Sequence, residues 1–289
     1  MAATTQAASL QRVVVMRHGD RLDHAEPLWP ANKPRPWDPP LTDAGLLRAW
    51  TVAKRIRAAA AADSFQIHRV LVSPFLRCLQ TAAQAVAALC AVPDDKALLA
   101  LDNSANVLLD PSRIKVSIEY GLSEMMNAQA MGLLVSQVAP SIDKWFPDLS
   151  ELEAALPAGT IDRSAEPLYP EVPKWGESVL EARSRYASVI KALADKYPDE
   201  NLLLVTHGEG VGASVSFFES GVEIYEVEYC AYSVLGRQQQ EVGVEGGEEE
   251  GFKKLSVLST SGPTGIHYYY TTPAVASEVP DPNIRNSQL

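Results

Sequence analysis

Three short runs of consecutive apolar residues predict strands that are buried on both faces. They lie at residues 12–16 (RVVVM), 69–72 (RVLV) and 201–205 (NLLLV). Unbroken runs of branched aliphatic side chains are typical of interior strands in parallel sheets. Residues 115–118 (KVSI) alternate between polar and apolar positions and predict a fourth, weaker strand.

Helical periodicity falls between these runs. From Thr42 onward, apolar residues recur at every third or fourth position. Ser73 and Pro74 supply an N-cap and a first-turn residue for a second helix. Ser178 and Glu181 form a capping-box pattern at the start of a third helix. Because strands alternate with helices, the sequence predicts an α/β domain with a mainly parallel central sheet.

Three polar or proline-rich segments interrupt this alternation. Insertions are predicted near residues 27–40, 94–112 and 236–251. Residues 252–260 and 266–270 are candidate edge strands after the last insertion. We expect a single domain at 12–270, with a flexible N-terminus at 1–11 and a flexible tail at 271–289.

The composition mainly excludes certain classes of protein. A net charge of −11 argues against a nucleic-acid-binding protein, because phosphate contacts need a concentrated basic face. No apolar run approaches the ~20 residues that span a bilayer, and the first residues do not resemble a signal peptide. Cys78, Cys90 and Cys230 form no CxxC pair and are typical of reduced thiols. We therefore expect a cytoplasmic protein that binds neither nucleic acid nor membranes.

Charged and polar side chains follow each predicted strand. Arg17 and His18 come directly after the first strand, and Arg77 comes soon after the second. His207 follows the third strand, and Glu124 lies a few residues beyond the fourth. The carboxyl ends of parallel strands share one edge of the sheet, so these five side chains should converge. Arginine offers a planar fork of donors suited to a tetrahedral anion, which predicts a phosphate site.

Each of these residues has an ordinary explanation when it is taken singly. A histidine after a strand is more often a loop or packing residue, and a lone arginine is more often a surface charge. The coincidence of all five at one sheet edge is what indicates a site. His24, His68 and His267 lack this context, and we assign them no catalytic role.

An ordered set of motifs resembles the histidine phosphatase, or phosphoglycerate mutase-like, superfamily. In chain order they are residues 17–19 (RHG), 41–45 (LTDAG), 73–82 (SPFLRCLQTA), 119–124 (EYGLSE), 176–178 (GES) and 206–208 (THG). RHG alone is a weak signal, but the ordered set is specific and spans most of the chain. The resemblance implies a three-layer α/β/α sandwich of the phosphoglycerate mutase type.

The residues after the first motif resemble one branch of that superfamily. Residues 17–23 (RHGDRLD) are similar to the RHGERxD form of the suppressor-of-T-cell-receptor-signalling phosphatases, the ecdysteroid-phosphate phosphatases and their plant relatives. Asp20 replaces the usual glutamate. The resemblance implies that Arg21 is a further phosphate or substrate contact. The mutase form RHGESxWN is absent, which argues against glycolytic mutase activity.

The resemblance also implies a mechanism, namely phosphate transfer through a phosphohistidine on His18 followed by hydrolysis. The implied phosphate-binding residues are Arg17, Arg21, Arg77 and His207, the last acting best as a cation. Glu124 is implied as the general acid and base, and Glu209 is a rival for that role. No metal or cofactor is expected.

The substrate is expected to be a small phosphorylated molecule. Trp29, Arg35 and Trp37 in the proline-rich excursion could form a wall for an aromatic or steroid-like leaving group, or could simply pin a surface loop. Trp145, Phe146 and Trp175 are expected to serve core or interdomain packing. A homodimer is common in the superfamily.

Three alternatives stay open. A phosphoglycerate mutase or bisphosphatase would use the same residues on another substrate. A phospho-ligand-binding protein would use them without turnover. The pattern Gly208-x-Gly210-x-x-Ala213 also fits a loose dinucleotide fingerprint, although such a fingerprint usually opens a domain and here comes late in the chain.

Overall fold

The computed structural model describes residues 10–26, 29, 33–139, 142, 144–238, 254–261 and 265–271. Its strands are β1 (Leu10–Arg17), β2 (Arg69–Val72), β3 (Lys115–Ile118), β4 (Leu202–Thr206), β5 (Val222–Val227), β6 (Tyr232–Gln238), β7 (Ser256–Thr260) and β8 (Ile266–Tyr270). The three predicted interior strands and the weaker fourth strand are therefore confirmed to within two residues at each end, and the fourth, β3, lies at an edge of the sheet.

Helices connect these strands. They are α1 (Leu22–Ala25), α2 (Asp43–Ala62), α3 (Leu76–Cys90), α4 (Asp95–Leu99), α5 (Ala128–Met131), α6 (Leu133–Val138), α7 (Leu149–Glu153), α8 (Val179–Lys196) and α9 (Gly208–Ser216). Single 3₁₀ turns lie at Pro111–Arg113 and Tyr120–Leu122. In the described part of the chain, no helix is both long enough and apolar enough to cross a membrane.

Six strands form one sheet in the order β3-β2-β4-β1-β6-β7. The pairs β2–β3, β2–β4 and β1–β4 are parallel, whereas β6 runs antiparallel to β1 and to β7. Strands β5 and β8 form a separate antiparallel pair. The predicted α/β class with a mainly parallel central sheet is confirmed.

Helices cover both faces of the central sheet, and this explains why the apolar run of β1 is continuous. Val14 and Met16 belong to one apolar cluster, which contains residues of α2 and α3. Val13 and Val15 belong to another cluster, with residues of α8 and α9. Because successive side chains of a strand point to opposite faces, a strand covered on both faces needs apolar residues at every position.

Two of the three predicted helix starts are confirmed. The Thr42 hydroxyl accepts a hydrogen bond from the Gly45 N–H at the start of α2. Ser178 and Glu181 form a capping box at the start of α8. These side chains satisfy N–H groups that have no partner within the first helical turn.

The predicted Ser73–Pro74 cap is wrong. Helix α3 begins at Leu76 with Phe75 at the N-cap position. The Asp38 carboxylate accepts a hydrogen bond from the Leu76 N–H at 2.6 Å, so a distant segment supplies the acceptor. The Ser73 hydroxyl is thereby available to contact His207.

Several predicted boundaries shift. Strand β1 includes Leu10 and Gln11, which had been placed in the N-terminal segment 1–11. Strand β6 extends through Gln238, so the insertion predicted at 236–251 is wrong for its first three residues. The rest of that insertion lies outside the described residues, as do residues 1–9, residues 272–289 and part of the excursion at 27–40. The segment 94–112 contains α4, which buries Leu98.

Candidate active site

Backbone hydrogen bonds continue the sheet past the ends of its parallel strands. The His18 N–H donates to Thr206 O at 3.0 Å, and the Ser73 N–H donates to Val205 O at 3.0 Å. The Glu119 N–H donates to Val72 O at 2.9 Å. The residues that follow the strands are therefore held at one edge of the sheet, as expected for this topology.

Arg77 brings four of the predicted site residues together. Its Nε donates to His18 Nε2 at 3.2 Å, and its Nη2 donates to Glu124 Oε2 at 3.2 Å. The same Nη2 lies 3.2 Å from His207 Nδ1. Arg77 and His18 are each 1% exposed, and His207 is fully buried. These contacts form a compact cluster shielded from bulk water.

The hydrogen bonds of His18 define the state of its ring. A guanidinium group can only donate, so His18 Nε2 must accept from Arg77 and carry a lone pair. The other ring nitrogen, Nδ1, lies 2.8 Å from Gly19 O and donates its proton there. This tautomer leaves Nε2, the nitrogen that faces the cluster, as the nucleophilic atom.

Electrostatics keep the His18 ring neutral. Burial lowers the pKa of His18 well below 6.5, and the nearby charge of Arg77 lowers it further. His207 and Arg17 act in the same direction. A neutral imidazole near pH 7 is the form that a nucleophilic histidine requires.

His207 and Glu124 form a buried pair. Glu124 Oε2 lies 3.1 Å from His207 Nδ1. Since a carboxylate can only accept, this contact places a proton on Nδ1, so the Arg77 Nη2 beside it donates to Glu124 Oε2 and not to His207. His207 Nε2 then accepts from the Ser73 hydroxyl at 2.9 Å. Burial lowers the pKa of His207 to about 4 against the opposing effect of Glu124, so the ring is neutral near pH 7. A cationic His207 would require the charge of a bound phosphate dianion to raise this pKa.

The two candidate acids lie in different surroundings. Burial alone would raise the pKa of Glu124, but His207 and Arg77 outweigh it and hold this pKa well below 4.5. Glu124 is 8% exposed and contacts the cluster directly. Glu209 instead pairs with Arg183 at 2.7 Å, and both side chains are partly exposed. The geometry therefore favours Glu124 over Glu209 as the acid.

Arg17 lies at the edge of the cluster. Its Nη1 donates to Val227 O, and its guanidinium stacks on the ring of Tyr229, with Cζ 4.2 Å from the ring centroid. Its buried Nε has no hydrogen-bond partner among the described residues. An unpaired buried donor is costly, so Arg17 retains a donor that suits an anionic ligand.

Arg21 follows Arg17 around the same cavity but is held by its own neighbour. Its Nε and Nη2 donate to the two carboxylate oxygens of Asp23 at 3.0 and 2.7 Å. Arg17, Arg21 and Glu124 all line a cavity of about 540 Å³. The site thus presents two arginines and the Glu124 carboxylate to this cavity, whereas His18, Arg77 and His207 are buried and do not line it.

Glu119 fixes the loop that carries Glu124. Its carboxylate accepts hydrogen bonds from the N–H groups of Gly121, Leu168 and Tyr169, at 2.9, 2.6 and 3.1 Å. Three backbone donors therefore hold the first glutamate of the EYGLSE motif in a structural role. The second glutamate, Glu124, is left to face the cluster.

Arg185 holds the same loop from the side of α8. Its Nη1 donates to Gly121 O at 2.6 Å and to Ser123 O at 3.1 Å. Its Nε and Nη2 donate to the two carboxylate oxygens of Glu177 at 2.7 and 2.8 Å. This buried ion pair explains a structural role for the glutamate of the GES motif.

Gly19 and Gly45 allow the loop after β1 to approach the start of α2. A side chain at Gly19 would meet Gly45 O at 2.7 Å, and one at Gly45 would meet Asp20 O at 2.6 Å. Both contacts are with backbone, which cannot move aside easily. The RHG and LTDAG motifs are thus two sides of one close contact.

The proline-rich excursion contributes backbone to the site, and Trp37, one of its two described tryptophans, packs in the core. Trp37 is 8% exposed, and its Nε1 donates to Trp145 O at 3.0 Å. The Trp37 carbonyl accepts from Arg77 Nη1 at 3.3 Å. Trp145 also stacks on Trp175, in agreement with the expected packing role. The aromatic residue that does line the cavity is Tyr225.

His18, Glu124 and His207 could also be considered as metal ligands, because one ligand atom from each lies within 4.8 Å of the others. Arg77 contacts all three of these side chains. A fixed cation among the donors opposes binding of a second cation and favours an anion. The cluster therefore fits phosphate better than a metal ion.

Sequence reasoning missed four residues near the site. Tyr229 lies beside Arg17, and its hydroxyl is 2.6 Å from Nδ1 of His24, for which the sequence predicts no catalytic role. Ser73 contacts His207, and Asp38 caps the helix that carries Arg77. Ser73 stands in the SPFLRCLQTA motif, which could have drawn attention to it. The others carry no local signal.

The glycines of the dinucleotide-like pattern have packing roles. A side chain at Gly208 would meet the Arg17 guanidinium at 3.4 Å. One at Gly210 would meet Thr206 at 2.9 Å and Tyr186 at 3.0 Å. Close packing of α9 on the site therefore accounts for these residues without a nucleotide.

Comparison with known sequences matches residues 13–99 and 102–246 to the histidine phosphatase superfamily (branch 1). Among curated proteins, no sequence matches this chain. The chain is similar in structure to an ecdysone phosphate phosphatase from Bombix mori, solved in complex with tungstate. That similarity has a TM-score of 0.53 at 20% identity, and it covers 82% of this chain and 97% of the other. It supports the fold.

Two further solved structures resemble the chain more distantly. A phosphoglycerate mutase from Bacillus anthracis has a TM-score of 0.47 at 15% identity and covers 80% of this chain and 90% of its own. A phosphoserine phosphatase from Entamoeba histolytica, in complex with 3-phosphoglyceric acid, has a TM-score of 0.42 at 14% identity. It covers 78% of this chain and 90% of its own.

Proposed function

Because the chain belongs to the histidine phosphatase superfamily, we propose that it is a metal-independent phosphomonoester hydrolase that acts through a phosphohistidine on His18. The observation that carries this proposal is the hydrogen bond from Arg77 to His18 Nε2. It supports a lone pair on the neutral Nε2 of His18 and a guanidinium group next to that nitrogen, where it can hold an oxygen of a bound phosphate.

In the first step, the Arg77 N–H turns from His18 Nε2 to a phosphate oxygen, and the freed lone pair of Nε2 attacks phosphorus in line with the leaving oxygen. The N–P bond forms as the P–O bond to the alcohol breaks. Arg77 and Arg17 hold the non-bridging oxygens, with Arg21 as a further donor from the cavity wall. Positioned charges of this kind stabilise the transition state in an enclosed site.

Glu124 supplies the proton that the leaving alcohol requires. Glu124 is ionised beside His207 and Arg77, which hold its pKa well below 4.5, so it must first take up a proton. An incoming phosphate dianion favours protonation of Glu124, because like charges repel. After the alcohol departs, the Glu124 carboxylate activates the water that attacks the phosphohistidine. Inorganic phosphate and free His18 are then regenerated.

The cavity supports the proposal of a small phosphorylated substrate. It has a volume of about 540 Å³, within the range of small-molecule sites. Tyr225 lines it and stacks with Tyr269, so we propose this face, rather than Trp37, as the contact for an aromatic leaving group. Measured preference for 3-phosphoglycerate over aryl phosphates would overturn that assignment.

The first experiment is hydrolysis of p-nitrophenyl phosphate in the presence of EDTA by the wild type and His18→Ala. We expect turnover that survives EDTA and falls to background in the variant. Quenching with alkali should also trap phosphate on the wild type only, because phosphohistidine is stable in base and labile in acid. His68→Ala is the matched control, since His68 lies at the opposite end of the sheet and contacts Asn201.

Other outcomes identify the alternatives. A folded wild type that is inert to aryl phosphates but converts phosphoglycerates would indicate the mutase or bisphosphatase. A wild type that binds phosphate without any turnover would indicate the phospho-ligand-binding protein. Activity that persists in His18→Ala would contradict the proposed nucleophile.

A further inference from the structure

Tyr229 belongs to a short segment that crosses the end of β1. The Cys230 N–H donates to His18 O at 3.1 Å, and the Arg17 N–H donates to Ala231 O at 2.9 Å. Cys230 has a φ of 59°, a left-handed conformation that is costly for a residue with a side chain. The backbone of this segment is therefore fixed to Arg17 and His18, the first two residues of the RHG motif.

The Tyr229 ring contacts both of those residues. The Arg17 guanidinium lies over it, with Cζ 4.2 Å from the ring centroid, and the His18 ring lies 5.7 Å away between centroids. A cation over an aromatic face is attracted to it and restricted in orientation. Among the described residues, the other hydrogen-bond partner of the Arg17 side chain is Val227 O, so the ring limits where its unpaired Nε points.

The Tyr229 hydroxyl is held in turn by His24. The phenolic oxygen lies 2.6 Å from His24 Nδ1, and burial lowers the pKa of His24, so its ring accepts the phenolic proton near neutral pH. His24 lies in α1, whose N-cap residue is Arg21. The same short helix contains Asp23, which holds the Arg21 guanidinium.

One hydrogen bond therefore links the two segments that present arginines to the cavity. Arg17 is packed on Tyr229, Arg21 is fixed within the turn that carries His24, and both arginines line the cavity. Neither Tyr229 nor His24 contacts Glu124 or Arg77 by a hydrogen bond in the described residues. Their place in the site is beside the phosphate-binding groups.

We propose that Tyr229 and His24 form a positioning pair that holds Arg17 and Arg21 at the spacing required to bind a phosphate group. This inference rests on the phosphate site of the proposed function. It concerns how tightly the anion is held and assigns neither residue a role in proton transfer or in the covalent step.

The test measures binding of inorganic phosphate by calorimetry, together with kcat and KM for p-nitrophenyl phosphate. Tyr229→Leu removes the ring, Tyr229→Phe removes only the hydroxyl, and His24→Ala removes its acceptor. We expect Tyr229→Leu to weaken phosphate binding about tenfold, and each of the other two variants to weaken it about threefold. KM should rise by similar factors with kcat little changed, because distorted arginines weaken anion binding before the chemical step.

The double variant Tyr229→Phe/His24→Ala separates a pair from two independent residues. If His24 acts through Tyr229, the double variant should bind phosphate no more weakly than either single variant. Losses that multiply would overturn the pairing, and wild-type affinity in Tyr229→Leu would overturn the positioning role. His68→Ala is again the control, and thermal melts show whether each variant folds.

Turnover of the ester tests the proposed function, whereas phosphate affinity of the variants tests the positioning role. A wild type that binds phosphate without hydrolysing the ester would contradict the proposed function, and the affinities of the variants would still decide the positioning role. A wild type that does not bind phosphate would overturn both. If Tyr229→Leu does not fold, Tyr229→Phe and His24→Ala decide the inference between them.

Discussion

Arg77 does three tasks with one buried guanidinium group. It orients the lone pair of His18 Nε2, it lowers the pKa of that ring, and it contacts the carboxylate of Glu124. Its own position is set by the carbonyl of Trp37 and by the helix that Asp38 caps. Lysine could not replace it, because an ammonium group cannot make these contacts from a planar fork.

The choice between the two candidate acids can be tested with isosteric substitutions. We expect Glu124→Gln to lower kcat by about 10²–10⁴-fold on an alkyl phosphate, because an alcohol needs a proton to leave. The loss should be smaller on p-nitrophenyl phosphate, whose leaving group is stable as an anion. The measurement is kcat for both substrates side by side.

Glu209→Gln is the matched control for that comparison. It removes a carboxylate from the same cavity, where Glu209 pairs with Arg183. We expect kcat to change by no more than a few-fold on either substrate. A larger dependence on the leaving group in Glu209→Gln than in Glu124→Gln would reverse the assignment.

The sequence located the residues that follow buried strands but missed those that depend on distant contacts. Arg17, His18 and His207 could be predicted because parallel strands bring their carboxyl ends to one edge. Tyr229 and Asp38 could not, because they stand in irregular segments that only the complete fold places beside Arg17 and Leu76. Local pattern carries no information about such contacts.

At the scale of elements, the start of α8 combines a helix cap with support for the active site. The capping box of Ser178 and Glu181 satisfies the first turn of the helix. Glu177, immediately before it, holds Arg185, and its Oε2 accepts from the Met126 N–H at 3.3 Å. The helix therefore fixes the loop on both sides of Glu124.

The variant Glu177→Gln should remove the support that Glu177 gives to the loop and leave the helix cap in place. Its partner Arg185 would keep a buried charge without a counter-ion, which costs about 3–5 kcal/mol of unfolding free energy. We also expect kcat to fall up to about 10²-fold, because small displacements of a catalytic group are costly. Denaturant unfolding and steady-state kinetics measure the two effects.

Ser178→Ala is the matched variant, because it weakens the same helix end without touching the loop. Loss of an N-cap costs about 1 kcal/mol, and kcat should stay at the wild-type value. If both variants lowered kcat in proportion to the stability that they lose, Glu177 would have only a structural role.

The elements that could be predicted from the sequence are those whose apolar residues form one clear pattern. Strands β2, β3 and β8 were predicted to the residue, whereas β5 and β6 were missed. In β5 the aliphatic residues Val222, Ile224 and Val227 are unevenly spaced and the register shifts between Ile224 and Glu226, so the strand has no clean alternation. Such a strand is specified by its pairing with β8 rather than by its own sequence.

For the whole molecule, burying uncharged histidines makes stability depend on pH. The folded pKa of His18 lies well below 6.5, and that of His207 is about 4. The unfolded chain therefore binds more protons than the folded one below about pH 6.5, and stability falls as the pH falls. The low pKa of Glu124 adds a further loss of stability below about pH 4.5.

Denaturant unfolding between pH 7 and 5.5 tests this dependence. We expect the free energy of unfolding to decrease on acidification, with a slope of at most about 1.4 kcal/mol per pH unit for each histidine that becomes charged only on unfolding. His18→Asn should reduce the slope because one proton fewer is taken up. Equal slopes in the wild type and His18→Asn would contradict a neutral, buried His18.

The position of β1 in the sheet has a consequence for synthesis on the ribosome. Among the described strands β1 is made first, yet its neighbours are β4 and β6, and the contact of Arg12 with Asn201 at the start of the β1–β4 pair spans 189 residues. At roughly 5–20 residues per second, the nascent chain waits about 10–40 s for that partner. During this interval the RVVVM run has no native neighbour, and it is a natural target for a chaperone that binds extended apolar segments.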